Sequence, residues 1–375
     1  MELKKMICAL ISLMSVGSAH GAEHFVPSQY PTIQAAIDAS SSGDIVTVAS
    51  GTYEEVIRFG GRSIVVRSAS GASATTIARP LNSPSSPTVT FDAAETGGAV
   101  LDGFTISRGN GVFTSIFSCG CDGYQLGGGI FVSSASPTVR NCIIANNSCG
   151  TYFSRGGGIY VGSGSPVFSN CLIRDNQADG GYGSGGGIHV AGGAPSFLDC
   201  TIKSNTVQSY HSGNCGGVAV AGGSPYFRDC RVTGNSASGG VGGMCVSPSA
   251  ALQRVYIGSL NGPTAISGSF TDAGDNDIDG DCNGNGVPDH SDIANGISAD
   301  SDSDGMPDEC VCRHYPINCC VGDVTNDQQV NGTDFGIILA FWGSVTTFPR
   351  ADLNQDGTVD GADLALVLTN WGVCN

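Results

Sequence analysis

Two stretches near the end of the sequence carry oxygen-bearing side chains at alternate positions, and each runs directly into an apolar segment. In both stretches these side chains fall at the first, third, fifth, ninth and twelfth positions of a twelve-residue loop. Oxygen ligands in this order, with a backbone carbonyl from the seventh position, are what a hard cation of calcium's size requires. The predicted calcium ligands are Asp323, Thr325, Asp327, Gln329, Asn331 and Asp334 in the first loop, and Asp352, Asn354, Asp356, Thr358, Asp360 and Asp363 in the second.

Both loops depart from an ordinary EF-hand in the same way. Each ends in Asp where an EF-hand has a bidentate Glu, and no helical pattern precedes either loop. Gly357 occupies the sharp-turn position of the second loop, whereas the first has Gln328 there. This duplicated loop-helix pattern resembles the dockerin module over residues 320–375. The resemblance implies calcium as cofactor and a cohesin-like protein or cell-surface scaffold as partner; a calcium-stabilised cap without a partner is the alternative.

Charge and cysteine usage indicate the compartment and the domain boundaries. Residues 1–22 read as a signal peptide, with Lys4 and Lys5 before an apolar stretch, and no later segment is apolar enough to be a transmembrane segment. The net charge is −17 and the chain has 16 Cys, which together predict a secreted, extracellular or cell-surface protein without nucleic acid as a partner. After Phe270 there are 19 acidic against 2 basic residues, so nearly all the acidity belongs to the tail.

The acidic segment at residues 271–319 repeats the alternating-oxygen spacing. It resembles thrombospondin type 3-like calcium repeats, which implies that bound metal stiffens a segment too polar to form a core. A flexible acidic spacer is the alternative. The additional calcium ligands predicted here are Asp281, Asn283, Asn285, Asp289, Asp292, Asp300, Asp302, Asp304 and Asp308.

A different repeat occupies the middle of the chain. A Gly-Gly phrase followed by alternating apolar residues recurs at Ile130, Ile159, Ile188, Val218 and Met244, in steps of 29, 29, 30 and 26 residues. Fixed-period similarity of this length predicts a solenoid, and three short strands per coil with period-two apolar columns predict a parallel β-helix. Two further columns should stack from coil to coil: an amide ladder of Asn147, Asn176, Asn205 and Asn235, and an internal thiol column of Cys142, Cys171, Cys200 and Cys230.

The start of the solenoid carries a capping pattern. Ile33, Ala36 and Ile37 lie on one face of a short amphipathic helix, and strand patterns come after it. This opening resembles the pectin-lyase-like right-handed β-helix superfamily over about residues 25–270. The predicted fold is mainly β: a right-handed parallel β-helix with an N-terminal capping helix, then a small α-helical calcium-loop domain. The predicted organisation is signal peptide 1–22, β-helix 23–270, acidic Cys-containing linker 271–319 and dockerin-like domain 320–375.

No catalytic residue can be assigned from the sequence, because the paired carboxylates and arginine segments typical of that superfamily's enzymes do not occur. Stacked aromatics remain, and they are suited to packing on sugar rings or on one another. The sequence predicts a secreted polysaccharide-binding or polysaccharide-degrading protein, in the latter case a lyase or glycoside hydrolase; the alternative is a non-catalytic surface or adhesion protein with a structural β-helix. The predicted glycan-binding residues are Phe131, Tyr160, His189, Tyr152, Tyr182 and Tyr210.

Overall fold

The architecture was analysed in a computed structural model, in which strands of the same kind recur once per turn of the chain. The residues that the structure describes are 21–115, 123–211, 214–247, 249–258, 261–262, 264–274, 276–278, 293–298, 322, 324–325, 329–343, 351, 353, 358–371 and 372–373. The predicted signal peptide and all the predicted ligands of the 271–319 segment lie outside this part of the chain, apart from Gly21 and Ala22 at the end of the former.

Three long parallel sheets run along the solenoid, and each coil contributes one strand to each sheet. In-register pairing places each residue beside its equivalent on the next coil, as with Ile130, Ile159 and Ile188. Strand pairing continues to Ile278, beyond the predicted boundary at residue 270.

The first sheet has ten strands: Glu23–Val26, Ile45–Val48, Val65–Ser68, Val100–Asp102, Thr138–Arg140, Val167–Ser169, Ser196–Leu198, Tyr226–Arg228, Ala251–Gln253 and Thr271–Asp272. The second has nine: Gly51–Glu54, Thr75–Ala78, Thr105–Ser107, Ile143–Ala145, Leu172–Arg174, Thr201–Lys203, Arg231–Thr233, Tyr256–Ile257 and Asp277–Ile278. The third has eight: Ile57–Arg58, Val89–Phe91, Ile130–Val132, Ile159–Val161, Ile188–Val190, Val218–Val220, Met244–Cys245 and Ile266–Ser267.

Two small sheets flank the long turn that joins the second sheet to the third. The fourth sheet contains Val112–Ser115, Gly123–Leu126, Phe153–Arg155 and Tyr182–Ser184, and its first pair is antiparallel. The fifth sheet contains Ser148–Cys149, Gln177–Ala178, Thr206–Val207 and Ser236–Ala237. The sequence did not predict these strands, because strands of two to four residues leave no measurable period.

One continuous apolar core fills the solenoid. The inward residues of the three long sheets are buried, as period-two alternation predicts, and aromatic rings stack within the core. Phe168 and Phe197 have ring centroids 5.0 Å apart, and Phe197 and Phe227 have theirs 4.8 Å apart. Helix α1, Ile33–Ala39, is capped by Thr32 and buries its apolar face on this core. The predicted fold class is confirmed.

The predicted amide ladder is present and is buried. The Oδ1 atom of Asn176 accepts from the backbone N–H of Asn147 at 3.1 Å and from its Nδ2 at 3.0 Å. The same pair of bonds joins Asn176 to Asn205 and Asn205 to Asn235, and Asn261 adds a further rung beneath Asn235. Asn261 was missed by the sequence analysis, although its 26-residue separation from Asn235 equals the last step of the Gly-Gly repeat.

The predicted thiol column is also buried and free of disulfides. Burial raises the pKa of Cys142 to about 12, so its thiol stays protonated and behaves as a small apolar group. A disulfide joins Cys215 and Cys245 on consecutive coils, with Cα atoms 5.6 Å apart. The sequence did not predict this pair, although Cys245 is the one cysteine in the column of outward residues on the third sheet.

The tail repeats one loop-helix unit about a small core. Helices α2, Gly332–Ala340, and α3, Gly361–Thr369, each begin after a capping box. A two-stranded antiparallel sheet pairs Gln329–Val330 with Gly372–Val373. None of the helices in the described part of the chain has the length and apolar character that crossing a membrane requires. The buried core residues here are Val324, Val330, Ile338, Ala351, Val359 and Val367.

We expect loss of one ladder rung to destabilise the solenoid strongly. Asn235→Leu would leave the Asn205 N–H and the Ile202 carbonyl without their partners in a dry core. Each orphaned buried group costs about 1–3 kcal/mol, so the free energy of unfolding should fall by roughly 3 kcal/mol in urea titrations. The exposed neighbour provides the control: Ser236→Ala should change this free energy by less than about 0.5 kcal/mol. Equal stability of the two variants would contradict this role for the ladder.

Candidate functional site

The outward residues of the third sheet form an aromatic ladder in the order predicted. Phe131 stacks on Tyr160 with ring centroids 5.6 Å apart, and Tyr160 stacks on His189 at 5.7 Å, with interplanar angles of 5° and 6°. In-register pairing is the cause, since equivalent residues on successive coils lie one strand spacing apart. The first ladder is therefore a direct product of the 29-residue repeat.

His189 lies inside this ladder rather than on the surface. It is only 2 % exposed, and neither ring nitrogen makes a hydrogen bond of normal geometry to another described residue. Burial, with a smaller contribution from the positive charge of Arg155, lowers the pKa of His189 to about 3, while the nearby Ser184 carbonyl favours the protonated form. The imidazole is thus neutral at ordinary pH and supports Tyr160 from one side.

A second ladder runs along the fourth sheet and continues onto the turn beyond it. Tyr124, Phe153, Tyr182 and His211 succeed one another with ring centroids 4.9, 5.4 and 5.2 Å apart. The side chain of Tyr182 is exposed. The guanidinium of Arg155 lies 4.6 Å from the centroid of the Tyr124 ring, a distance typical of a cation–π contact.

Two exposed tyrosines stand outside the stacking order of the second ladder. The ring of Tyr152 lies across the stack, at angles of 87°, 74° and 63° to Phe153, Tyr182 and His211. Tyr210 is 90 % exposed. We call the exposed group of Tyr152, Tyr182, Tyr210 and His211 the aromatic surface. Of the six predicted glycan-binding residues, the structure brings Tyr152 and Tyr182 into contact here and places Phe131, Tyr160 and His189 together in the first ladder.

The charged side chains of the coils are largely engaged with one another. Asp229 is paired with Arg254 at 2.6 Å and Arg228 at 3.1 Å, Asp102 with Arg140 at 2.8 Å, and Arg174 with Asp175. Asn141, Asn170, Asp199 and Asp229 form a column of turn residues with φ between 48° and 55°, a left-handed conformation that Asn and Asp tolerate best. This column is accounted for by turn geometry.

In the tail, the structure brings the described loop residues together around one buried carboxylate per loop. Asp334 accepts hydrogen bonds from the Thr325 N–H at 2.8 Å, the Thr325 hydroxyl at 2.9 Å and the Asn331 N–H at 2.9 Å. Asp363 accepts from the Leu353 N–H at 2.7 Å and the Asp360 N–H at 2.8 Å. Thr358 and Gln329 are described as well. The remaining predicted ligands, Asp323, Asp327, Asp352, Asn354 and Asp356, lie outside the described residues.

The possible metal ligands among the described loop residues are of the kind that a hard cation binds. All are carboxylate, amide, hydroxyl or carbonyl oxygens, and Asp334 and Asp363 are fully buried at the point where each loop enters its helix. Among the residues that the structure describes, no three His, Cys, Asp or Glu side chains group closely enough to hold a metal by themselves. A calcium site would therefore need the predicted ligands outside this set.

The two helices of the tail also expose matching apolar side chains. Leu339 and Trp342 come after the first loop, and Leu368 and Trp371 occupy the same places after the second. All four are about half exposed, at 50 to 53 %. An exposed apolar set of this kind, duplicated with its loop, is typical of a surface that contacts another protein.

Comparison with known proteins agrees with this division of the chain. Residues 88–253 match the family model described as right handed beta helix region, and residues 321–370 match that of the dockerin type I domain. Two crystal structures of the pectin methylesterase from Aspergillus niger, penultimately deglycosylated and deglycosylated, are 16 % identical to the chain, with TM-scores of 0.42 and 0.41. Each likeness covers 68 % of this chain and 85 % of the other. No curated protein matches the chain.

Parallel coils with one strand per sheet, succeeded by a duplicated loop-helix unit, define the class as a β-solenoid with an appended loop-helix module. Within that class, the chain contains a right-handed β-helix region and, after it, a dockerin type I domain.

The buried histidine should make stability depend on pH. Below pH 6.5 the unfolded chain binds a proton at this position, whereas folded His189 does so only near pH 3. The stability due to neutral His189 is therefore full above pH 6.5 and is lost as the pH falls towards 3. Between pH 7 and 4.5 this group should lower the free energy of unfolding by roughly 2–3 kcal/mol in urea titrations.

His189→Phe preserves the stack and removes the titrating group, so the loss on acidification should shrink by that amount. The exposed His211→Phe serves as the matched control and should retain the pH dependence of the unsubstituted protein. Identical pH dependence in the unsubstituted protein and His189→Phe would show that the histidine is not the source.

Proposed function

We propose that the protein is a secreted polysaccharide-binding protein whose β-helix presents the aromatic surface and whose dockerin domain anchors it to a partner in a calcium-dependent manner. The observation that carries the binding proposal is the grouping of exposed tyrosines on one side of the solenoid, held by parallel strands. Sugar rings have apolar faces that pack on aromatic rings, and tyrosine hydroxyls can bond sugar hydroxyls. The dockerin resemblance supports the same assignment, because such modules usually accompany proteins that act on polysaccharides.

The rigidity of the aromatic surface favours binding. Tyr182 pairs through its backbone with Phe153, and its N–H donates to the Tyr152 carbonyl at 2.7 Å. The backbone N–H groups of Tyr210 and His211 donate to the carbonyls of Gly180 and Gly181 at 3.0 and 3.2 Å. Because the backbone is already fixed by these hydrogen bonds, it loses little conformational entropy when a ligand packs on the rings.

Removal of the central tyrosines should weaken glycan binding. Tyr152→Ala and Tyr182→Ala each remove a ring contact worth about 0.5–1.5 kcal/mol, so affinity should fall roughly 3- to 10-fold in affinity electrophoresis with soluble glucans, mannans, xylans and pectates. Phe25 is the control, since its exposed fraction of 39 % equals that of Tyr182 and it lies on the first strand of the solenoid. Phe25→Ala should bind as the unsubstituted protein does.

Retention of affinity in both tyrosine variants would reject the aromatic surface as the binding site. Incubation with the same glycans, with subsequent assays for reducing ends and unsaturated products, distinguishes binding alone from cleavage.

The anchoring proposal rests on the two buried carboxylates and the exposed apolar set of the tail. Calcium would be held by the predicted loop ligands, with Asp334 and Asp363 closing the two sites. The ion would supply positive charge to a cluster of oxygens that otherwise repel one another, and so hold each loop against its helix. Leu339, Trp342, Leu368 and Trp371 would then present a fixed apolar surface to a cohesin-like partner.

Calcium titration should separate the two loops. Asp334→Ala and Asp363→Ala should each remove one equivalent of bound calcium, measured by calorimetry on the full chain after treatment with a chelator. Asp38→Ala is the control: it removes an exposed carboxylate from helix α1 and should leave the number of bound calcium ions unchanged. Unchanged stoichiometry in both loop variants would exclude these loops as calcium sites.

The anchoring proposal also predicts that partner binding depends on calcium. Binding of a cohesin module, measured by surface plasmon resonance, should disappear on chelation and return with calcium.

A further inference from the structure

The coil that contains Ala237 has a shorter turn than the coil before it, and a depression lies on the surface at this step. Eight residues separate Val207 from Gly216, whereas only four separate Ala237 from the equivalent Gly242. Four residues of the longer connection therefore have no counterpart on the next coil. The depression has a volume of about 520 Å³, within the range of ligand sites. It is lined by Asp179, Val207, Gln208, Ser209, Tyr210, Ser236, Ala237 and Ser238.

One carboxylate supplies the charge of this depression. Asp179 is half-buried; its Oδ1 accepts from the Gln208 N–H at 2.8 Å and its Oδ2 accepts from the Gln177 side chain. A carboxylate has about four acceptor positions, so both oxygens keep capacity for further donors. Burial raises the pKa of Asp179, while these two hydrogen bonds lower it. Of the described residues lining the depression, Asp179 alone has a carboxyl group, and none is Lys, Arg or His.

The other lining residues complete a surface for a sugar ring. Ser209 Oγ accepts from the Gly183 N–H at 2.7 Å, which fixes the hydroxyl, and the Ser209 N–H donates to Ser238 Oγ at 3.0 Å. Val207 and Ala237 are buried and apolar. Tyr210 stands at the edge with 90 % of its surface exposed, on a backbone pinned to Gly180. An apolar floor, one aromatic ring and a few fixed polar groups are typical of carbohydrate sites.

We propose that this depression is a subsite for a neutral sugar residue, in which Asp179 accepts hydrogen bonds from two ring hydroxyls and Tyr210 packs on the ring face. The inference rests on the proposed polysaccharide binding and narrows its ligand class. Hydroxyl groups are donors that a carboxylate accepts, whereas the carboxylate of an acidic sugar would face Asp179 with no lining cation among the described residues to compensate. The ligand is therefore a neutral glycan rather than a uronate polymer.

The test measures affinity of the calcium-loaded full chain for soluble neutral glycans, namely mixed-linkage β-glucan, xyloglucan and galactomannan, and for two acidic ones, polygalacturonate and alginate. Asp179→Asn and Tyr210→Ala should each weaken binding of the neutral ligand about 10-fold, as expected for loss of a charge-assisted hydrogen bond or a ring contact. Tyr210→Phe should retain affinity within about 3-fold because the ring remains. Asp175→Asn is the matched control, an exposed carboxylate on the neighbouring turn that lies outside the depression.

The outcomes separate the subsite from the function. Neutral binding that is weakened by both substitutions, with Asp175→Asn unaffected, supports the proposal. Neutral binding that survives both substitutions overturns the subsite and leaves the proposed function intact, as does binding of the acidic glycans alone. Binding of no glycan in the set overturns both. Because Tyr210 is exposed, its substitution should not alter folding, and equal circular dichroism spectra verify this for each variant.

Discussion

The in-register stacking of buried asparagines is the constraint on which the solenoid depends. Each rung satisfies the N–H of the asparagine before it and that residue's side-chain amide, so a coil that shifted by one residue would bury several unpaired polar groups. A shift would also turn every apolar side chain outwards. In the coils between Asn147 and Asn261, the ladder therefore fixes the register of all three long sheets at once. The differences in length between coils are confined to the turns between one ladder asparagine and the next.

Register determines what the aromatic residues can do. In a ladder such as Phe153, Tyr182 and His211, each ring covers the face of its neighbour, and a ligand reaches mainly the edges. Ring faces become available only where the repeat is interrupted or where a ring lies across the stack, as Tyr152 does. The shortened turn after Ala237 creates such an interruption beside Tyr210. The binding surface that we propose thus depends on irregular positions within a regular scaffold.

Periodic features of this protein could be predicted from its sequence, whereas features that depend on particular contacts could not. Repeats at fixed steps identified the coils, the asparagine ladder and the thiol column, because residues at equal phase must stack. They also placed His189 correctly in its column but as a surface residue; its burial depends on packing around the fourth sheet, whose short strands have no period. Asp179 and Cys215, the partner of Cys245 in the disulfide, were not predicted because each lies in a turn of variable length.

Different interactions stabilise the solenoid and the tail, and this difference is consistent with the concentration of acidic residues in the tail. The solenoid has a continuous core rich in branched aliphatic and phenylalanine side chains, whose burial stabilises it. Among the residues that the structure describes, the tail has a smaller cluster that includes Val330, Ile338, Val359 and Val367. Acidic loops that bind metal can add stability to such a cluster, since metal affinity contributes directly to folding free energy. Most acidic residues lie after Phe270, so calcium bound in the way that we propose would stabilise the part of the chain whose described apolar core is smaller.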